Sequence, residues 1–221
     1  MYIPPAFRID RAECLAFAAA RGFGLVVAFD GVRPAGSPLP FHISYRDDGT
    51  PVASFHVARN NPLAALATRG GNWLLAVNGA DAYVSPEWYV SPEQVPTWLY
   101  ETVHLSGPVH VVSSEGKRPH LDGLTGDFER ASTGDVAWTP ERLTSGRREA
   151  MLNGIVAIEM NVDAVEGSAK LNQNKSDADF QAVAQQLRRQ DDSMARQIAA
   201  RMVALRPNLS YDVAGEDMNN G

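Results

Sequence analysis

The segment from residue 25 to residue 57 decides the fold class that this sequence predicts. It contains LVVAFDG at residues 25–31, LPFHISY at 39–45, DDG at 47–49 and VASFHV at 52–57. β-Branched and aromatic residues favour strands, and Asp-Gly pairs favour the tight turns that join strands. We therefore expect three short strands that pair as an antiparallel meander.

More strands are expected after this segment, at residues 73–77, 82–84, 97–112 and 155–162. A turn at Asn78-Gly79 is expected between the first two of them. Gly107-Pro108 lies inside the long third one, where it predicts a bulge or a bend.

Helices are expected at residues 12–20, 63–68, 121–131, 140–152, 176–189 and 191–205. Asp10 and Asn61 precede the first two helices as capping residues, and Thr139 precedes the fourth. Many short strands with hairpin turns, and few helices between them, predict a mainly β barrel or sandwich with peripheral helices. The chain has no G-x-G-x-x-G motif after a strand and no P-loop, which argues against a Rossmann fold and a nucleotide triphosphatase.

The composition is that of an ordinary globular protein, because 44% of its 221 residues are hydrophobic and 21% are charged. The net charge of −6 argues against binding nucleic acid through the overall field. Cys14 is the single cysteine, so an intramolecular disulfide is excluded. The first residues lack the pattern of a signal peptide, and no apolar run reaches the roughly 18 residues of a membrane span. We expect a cytoplasmic protein without a membrane segment.

The first candidate site is the segment HVARNNP at residues 56–62. Arg59 follows a predicted strand, and Asn61-Pro62 opens a predicted helix, so a guanidinium and free backbone N–H groups come close together. Such groups bind anions such as phosphate. The alternative is that Arg59 is a solvated charge at a strand end and that Asn61 is merely a helix cap.

Two further segments combine aromatic rings with a hydroxyl group. YVSPEWY at residues 83–89 can wall a flat ring while Ser85 bonds an oxygen atom. VPTWLY at residues 95–100 places Trp98 on a strand beside the hydroxyl of Thr97. The alternative for both segments is ordinary packing of strand ends.

The last candidate segment is KLNQNK at residues 170–175, which holds two lysines and three amides. This content suits recognition of phosphate or carbonyl groups, and the alternative is a polar loop. No metal site is predicted, because the chain has one cysteine and no two histidines with the i, i+4 spacing of a helix; the histidines are His42, His56, His104, His110 and His120.

Six segments follow one another between residue 1 and about residue 205: MYIP at 1–4, LP at 39–40, HVARNNP at 56–62, AYVSPEWY at 82–89, VPTWLY at 95–100 and KLNQN at 170–174. In this order they resemble the PaiB-like family, the FMN-binding negative transcriptional regulators of bacteria. Two residues depart from the family's pattern. Leu99 stands where the family more usually has Asn, and Asn172 where it more usually has Ser.

The resemblance implies a six-stranded antiparallel split β-barrel, akin to pyridoxamine-phosphate oxidases, with additional C-terminal helices. It also implies a homodimer with FMN at the subunit interface. The FMN contacts that it implies are His56, Val57, Arg59, Asn60, Asn61, Ser85, Trp88, Thr97, Trp98, Lys170 and Gln173. Arg59 and the helix start at Asn61 would meet the phosphate, with Trp88 or Trp98 covering the ring.

The expected organisation is a split-barrel FMN-binding domain at residues 1–175, a helix pair at 176–206 packed on the barrel, and a frayed tail at 207–221. The helix pair carries five arginines against Asp191 and Asp192, so it could imitate a helix-turn-helix and contact DNA directly. We favour packing through the apolar stripe Val183, Leu187, Ile198, Met202 and Leu205.

Two other functions fit the same fold. One is a flavin-dependent reductase or oxidase with an unknown small-molecule substrate or redox partner. The other is a heme-handling split barrel that uses one of the histidines as an axial ligand.

Overall fold

Residues 1–133 and 138–211 are described by the structure, which is a computed structural model. The strands are β1 (Phe23–Phe29), β2 (Pro34–Tyr45), β3 (Pro51–Ala58), β4 (Asn72–Val84), β5 (Thr97–Val111), β6 (Ile155–Asn161) and β7 (Ala164–Lys170). The helices are α1 (Arg11–Arg21), α2 (Pro62–Ala67), α3 (Lys117–Thr133), α4 (Ser145–Asn153), α5 (Asp177–Arg189) and α6 (Ser193–Leu205). The predicted frayed tail lies largely outside the described residues, since it includes residues 212–221.

The predicted meander is confirmed. Strand β2 pairs antiparallel with β1, where Val26 lies opposite Ser37, and antiparallel with β3, where Phe41 lies opposite Phe55. Phe41 and Phe55 are both fully buried, so this pair of facing rings belongs to the core.

The strand order is β4-β1-β2-β3-β6-β5-β7, and β4 also pairs with β5. Within the described residues this extra pairing closes β1 to β6 into a ring of six strands, with β7 added at β5. Closing a sheet into a ring removes the exposed strand edges that favour aggregation. The six-stranded barrel of the sequence prediction corresponds to this ring.

The turn predicted at Asn78-Gly79 is wrong, because β4 runs without interruption from Asn72 to Val84. Every second residue of β4 is buried from Trp73 to Val77, and again from Ala80 to Val84. The alternation shifts by one residue between Val77 and Ala80, as it does at a β-bulge. Thr102 Oγ1 donates a hydrogen bond to Asn78 Oδ1 over 2.7 Å, which ties this point of β4 to β5.

Gly107 on β5 does not form a bulge, since burial alternates regularly on both sides of it. A Cβ atom at Gly107 would lie 1.7 Å from the carbonyl oxygen of Asn161 on β6. The position therefore needs glycine because two backbones approach closely there.

The helix predicted at residues 140–152 needs correction. Pro140–Arg142 forms a short 3-10 turn, and Thr139 makes no capping hydrogen bond with its side chain. The helix α4 begins only at Ser145, where Thr144 Oγ1 accepts a hydrogen bond from Arg147 N over 3.4 Å. The backbone of Leu143 is extended between these two elements, so the sequence contains two helix starts, and only the second opens an α-helix.

Strand β7 was not predicted from the sequence. Ala164, Gly167, Ser168 and Ala169 give it little β-propensity, so its pairing with β5 decides its conformation.

The chain divides into two groups of residues by its internal contacts. The first, which we call unit A, comprises Met1–Ile9, Asn78–Thr102 and the chain from Gly167 onward; the second, unit B, comprises Asp10–Val77 and Val103–Glu166. The division predicted at residue 175 remains a prediction.

Unit A contains α5 and α6, and their apolar stripe is buried as predicted. Val183, Leu187, Ile198 and Met202 each expose 0% of their surface and pack in one cluster with the strand residues Val84 and Leu99. Leu205 was expected in this stripe, but 48% of it is exposed, because it lies at the last turn of α6. Among the described helices, none is long and apolar enough to cross a membrane.

Candidate functional site

The residues predicted to contact FMN are divided between the two units. His56, Val57, Arg59, Asn60 and Asn61 belong to unit B. Ser85, Trp88, Thr97, Trp98, Lys170 and Gln173 belong to unit A.

Arg59 directly follows the end of β3 and is held by the C-terminal end of α4. Its backbone N–H donates to the carbonyl oxygen of Gly154 over 2.8 Å, and its Nε donates to that of Asn153 over 2.7 Å. The side chain is exposed, so the guanidinium group is oriented by Nε while its outer nitrogens face solvent. This is an arrangement that can accept an anion through charge-assisted hydrogen bonds.

Asn61 caps α2 as the sequence predicts. Its Oδ1 accepts a hydrogen bond from Leu63 N over 2.9 Å, and its Nδ2 donates to Ser37 Oγ over 2.9 Å. Because the cap occupies an N–H group of a helix that has six residues, the helix end adds little to an anion site. The anion-binding capacity of the segment therefore rests on Arg59, with Asn60 exposed beside it.

His56 lies in a cluster of three imidazoles that the sequence alone did not reveal. His56 Nδ1 and His120 Nε2 are 3.1 Å apart, and the rings of His42 and His120 have centroids 5.6 Å apart. The three residues come from β3, α3 and β2, and no sequence spacing relates them. Val57, the next residue of β3, is buried in the core and faces away from this cluster.

The histidine cluster is held in its neutral form. Burial, and then the neighbouring His56 and His42, lower the pKa of His120 to about 4. Burial also lowers the pKa of His42 and of His56 below the ordinary value. His42 Nδ1 and His120 Nδ1 are buried and have no hydrogen-bond partner among the described residues. In the described part of the chain, no group of three or more His, Cys, Asp or Glu residues has the geometry of a metal site.

In unit A, Lys170 and Thr97 are joined directly. Lys170 Nζ donates to Thr97 Oγ1 over 2.6 Å. Partial burial, and then the charge of Lys175, lower the pKa of Lys170 below its ordinary value. A cation and a hydroxyl group therefore lie side by side and can both hydrogen-bond an oxygen-rich ligand.

The aromatic residues of unit A differ in their exposure. Trp98 is 54% exposed and meets Tyr83 edge to face, with the ring centroids 6.0 Å apart. Trp88 is partly buried against the core of the unit. Trp98 is thus the ring that is free to stack on a ligand, whereas Trp88 serves packing.

Ser85 and Gln173 both have local structural roles. Ser85 Oγ accepts a hydrogen bond from Glu87 N over 3.3 Å and so caps the 3-10 turn Pro86–Trp88. Gln173 Oε1 accepts from Leu171 N over 2.7 Å, and its Nε2 donates to the carbonyl oxygen of Ala169 over 2.5 Å. Both ends of this amide therefore shape the turn after β7.

The two departures from the family pattern have physical reasons in this structure. Leu99 exposes 0% of its surface and belongs to the core, on the opposite side of β5 from Trp98. Asn172 has φ of 61° and bonds Tyr89 Oη through its side chain. Asn tolerates this left-handed conformation better than most residues, which favours it at this position.

The arginines of α5 and α6 are largely engaged within unit A. Arg188 donates to the carbonyl oxygen of Tyr211, Arg196 to that of Gln190, Arg201 to Glu101 and Arg206 to Asp177. Arg206 also lies over the ring of Phe180 at 4.2 Å. These contacts favour a packing role for the helix pair over the DNA-binding alternative.

Comparison with known proteins gives one family and several relatives. The model of the family described as "Putative FMN-binding domain" matches residues 1–164. The chain is 30% identical over 203 residues to the "Protease synthase and sporulation protein PAI 2" of Bacillus subtilis (strain 168). The aligned residues make up 91% of this chain and 96% of that protein.

Two solved structures are similar in fold. The FAD and heme binding protein from Mycobacterium smegmatis aligns with a TM-score of 0.53 at 18% identity, over 73% of this chain and 71% of that one. A conserved hypothetical protein from Mycobacterium tuberculosis aligns with a TM-score of 0.54 at 12% identity, over 79% and 92% respectively. Together with the ring of six strands, these similarities confirm the predicted split barrel.

Proposed function

We infer a regulatory flavoprotein, because the chain belongs to the FMN-binding family whose model matches residues 1–164 and is homologous to the sporulation protein of Bacillus subtilis over 91% of its length. The family match is the observation that carries FMN as the cofactor. The homology supports a regulatory role. A cytoplasmic homodimer is part of the same proposal.

We propose that Arg59 binds the phosphate of FMN. The guanidinium group is held through Nε by the carbonyl oxygen of Asn153, so its outer nitrogens are oriented before a ligand arrives. A preoriented fork loses less conformational entropy on binding than a free side chain. FMN supplies the ring that does redox chemistry, and Arg59 holds its charged end.

The remaining predicted contacts fall into two groups, residues that we propose to contact the flavin and residues that we expect to support them. Thr97, Trp98 and Lys170 offer a hydroxyl, an exposed ring and a cation, so we propose them as flavin contacts. His56 and Asn60 remain proposed contacts beside Arg59. Val57, Asn61, Ser85, Trp88 and Gln173 have packing or capping roles, so we expect them to shape the binding residues instead of bonding the flavin.

An apolar stripe on β1 supports the homodimer. Phe23, Leu25 and Phe29 lie on the same face of this strand and expose 46%, 44% and 64% of their surfaces. A contiguous apolar surface of this kind is typical of an interface between proteins. An obligate interface should bury more than about 2,000 Å² in total, and sedimentation at micromolar concentration measures whether the dimer forms.

The absorbance spectrum of the purified protein tests the cofactor. FMN should give flavin bands at about 450 nm, whereas the heme alternative requires a Soret band at about 400 nm. A flavoprotein that also consumes a reduced nicotinamide or reduces a small molecule would favour the reductase alternative.

Direct DNA binding is tested with the double variant Arg188→Ala/Arg189→Ala. We expect the variant to keep its fold and its flavin spectrum, because the buried stripe of α5 and α6 is unchanged. Sequence-specific DNA binding with a steep salt dependence, lost in this variant, would contradict the packing role of the two helices.

A further inference from the structure

Unit B contains a cavity that none of the proposed FMN contacts lines. It has a volume of about 150 Å³ and is lined by residues of α3, of α4 and of the segment 138–143 before α4. Of the described residues that line it, the apolar ones are Leu121, Trp138, Pro140, Leu143, Met151 and Leu152.

The size and the walls of this cavity suit one small ring. An apolar cavity of about 150 Å³ in another protein stays dry and takes up benzene. An indole ring, a proline and several aliphatic chains here give the same kind of wall. A ligand with a single six-membered ring therefore fits both the volume and the apolar surface.

Arg148 gives the cavity one unsatisfied polar group. Its Nε is buried and has no hydrogen-bond partner among the described residues, while its outer nitrogen Nη2 donates to the carbonyl oxygen of Leu143 over 3.3 Å. An unpaired buried donor is costly, and more so when it carries charge. A ligand that brings an acceptor to Nε would remove this cost.

The second arginine of the cavity is already paired. Arg118 Nε lies 3.8 Å from Asp122, and its Nη2 lies 3.3 Å from Glu141. The charge of Arg148 also acts on Glu141 and helps to lower the pKa of that carboxyl group, but its Nε has no hydrogen-bond partner among the described residues. Arg148 is therefore the lining cation with a donor left for an anionic ligand, and a carboxylate is the smallest organic anion that matches its geometry.

We propose that this cavity is a second ligand site, which binds a small aromatic carboxylate with its ring among the apolar walls and its carboxylate on Arg148. None of the residues proposed for FMN lines this site, so such a compound would bind without displacing flavin. Benzoate is the simplest probe of this class.

The test is calorimetric titration of the FMN-loaded protein with benzoate and with benzyl alcohol. We expect saturable binding of benzoate with a Kd at or below about 1 mM, and binding of the neutral alcohol that is at least about tenfold weaker. Quenching of Trp138 fluorescence, lost in Trp138→Phe, should report the same binding.

Two adjacent arginines provide the matched variants. Arg148→Gln should weaken the binding of benzoate at least about tenfold, because the loss of one charge-assisted hydrogen bond raises the Kd by a factor of about ten or more. Arg147→Gln should leave binding unchanged, because Arg147 is exposed on α4 and does not line the cavity. Leu121→Trp, which fills part of the cavity and leaves Arg148 in the sequence, should abolish binding and covers the case in which Arg148→Gln fails to fold.

The flavin spectrum is recorded for every variant and should not change, which separates this proposal from the proposed FMN function. Absence of benzoate binding, equal binding of the alcohol, or equal losses in the two arginine variants would each overturn the proposal.

Discussion

Nδ1 of His56 lies 3.1 Å from Nε2 of His120, so that β3 and α3 are joined by two imidazole rings. Because both rings are neutral, one nitrogen donates the proton and the other accepts it. The ring of His42 completes the cluster at 5.6 Å from that of His120. This contact makes the attachment of α3 to the sheet sensitive to protonation.

Acidification should therefore destabilise the protein. The pKa of His120 falls from 6.5 in the unfolded chain to about 4 in the folded one, so between these values the unfolded state binds a proton that the folded state does not. The free energy of unfolding should decrease by up to about 3 kcal/mol as the pH is lowered through this range, at about 1.4 kcal/mol for each pKa unit. Urea unfolding at a series of pH values between these limits measures the effect.

The variant His120→Gln tests the origin of this pH dependence. It removes the titrating ring, so the loss of stability on acidification should shrink relative to the wild type. His110 is exposed on β5, so His110→Gln should lose as much stability on acidification as the wild type does. An unchanged slope in His120→Gln would show that other groups cause it.

Arg59→Ala should weaken FMN binding at least about tenfold. A charge-assisted hydrogen bond is worth about 1.5–3 kcal/mol, and about 1.4 kcal/mol corresponds to one decade of affinity. Riboflavin, which lacks the phosphate, should bind the wild type poorly and be almost insensitive to the change. Fluorescence titration of the apo-protein with both ligands measures the difference.

Arg33→Ala is the matched control for this experiment, because the Arg33 side chain is 83% exposed and lies outside the proposed contacts. Equal losses for FMN and riboflavin in Arg59→Ala would mean that Arg59 supports the fold or the ring. If neither ligand loses affinity in Arg59→Ala, the phosphate binds at another residue, and Lys170 is the next candidate.

Asp179→Ala should destabilise unit A by about 2–3 kcal/mol. The buried carboxylate accepts hydrogen bonds from the Ser91 hydroxyl over 2.7 Å and from the N–H groups of Ser91 and Val90 over 2.8 and 2.9 Å. These bonds, that of the Ser91 hydroxyl first, lower the pKa of Asp179. They therefore stabilise the fold at neutral pH, and removing the acceptor leaves buried donors unpaired.

Thermal or urea unfolding measures the loss of stability in Asp179→Ala, and Asp177→Ala is the control variant. Asp177 is 71% exposed and pairs with Arg206, so its loss should cost less than about 1 kcal/mol. Similar costs for the two variants would contradict the structural role of Asp179.

Gly107→Ala should destabilise unit B by more than about 3 kcal/mol. The added Cβ would overlap the carbonyl oxygen of Asn161, and separating two paired backbones strains the sheet around them. Gly146→Ala on α4 meets no atom within 4 Å and should be neutral or slightly stabilising. A Gly107→Ala protein as stable as the wild type would show that the close approach of the two backbones at Gly107 does not require glycine.

The local patterns of the sequence determined most of the secondary structure. Asp10, Asn61 and Ser176 cap the helices that follow them, since a cap acts on residues within one turn of itself. The first three strands pair as predicted, because their side-chain alternation and their turns lie within one short segment.

Where a distant partner decides the conformation, the sequence was insufficient. Asn78-Gly79 has the pattern of a turn, but the contact with Thr102 holds it inside a continuous strand. The small residues of β7 become a strand only through pairing with β5. Two capping threonines compete before α4, and their local signals do not say which one opens the helix.

The candidate sites show the same division. The anion-binding character of Arg59 follows from its neighbours in the chain, so the sequence determined it. The cluster of His42, His56 and His120 and the cavity beside Arg148 combine residues from different elements, and sequence spacing does not relate them. Only tertiary structure brings such groups together and removes water from them, and it is this burial that lowers the pKa of His120 and leaves Arg148 Nε without a partner.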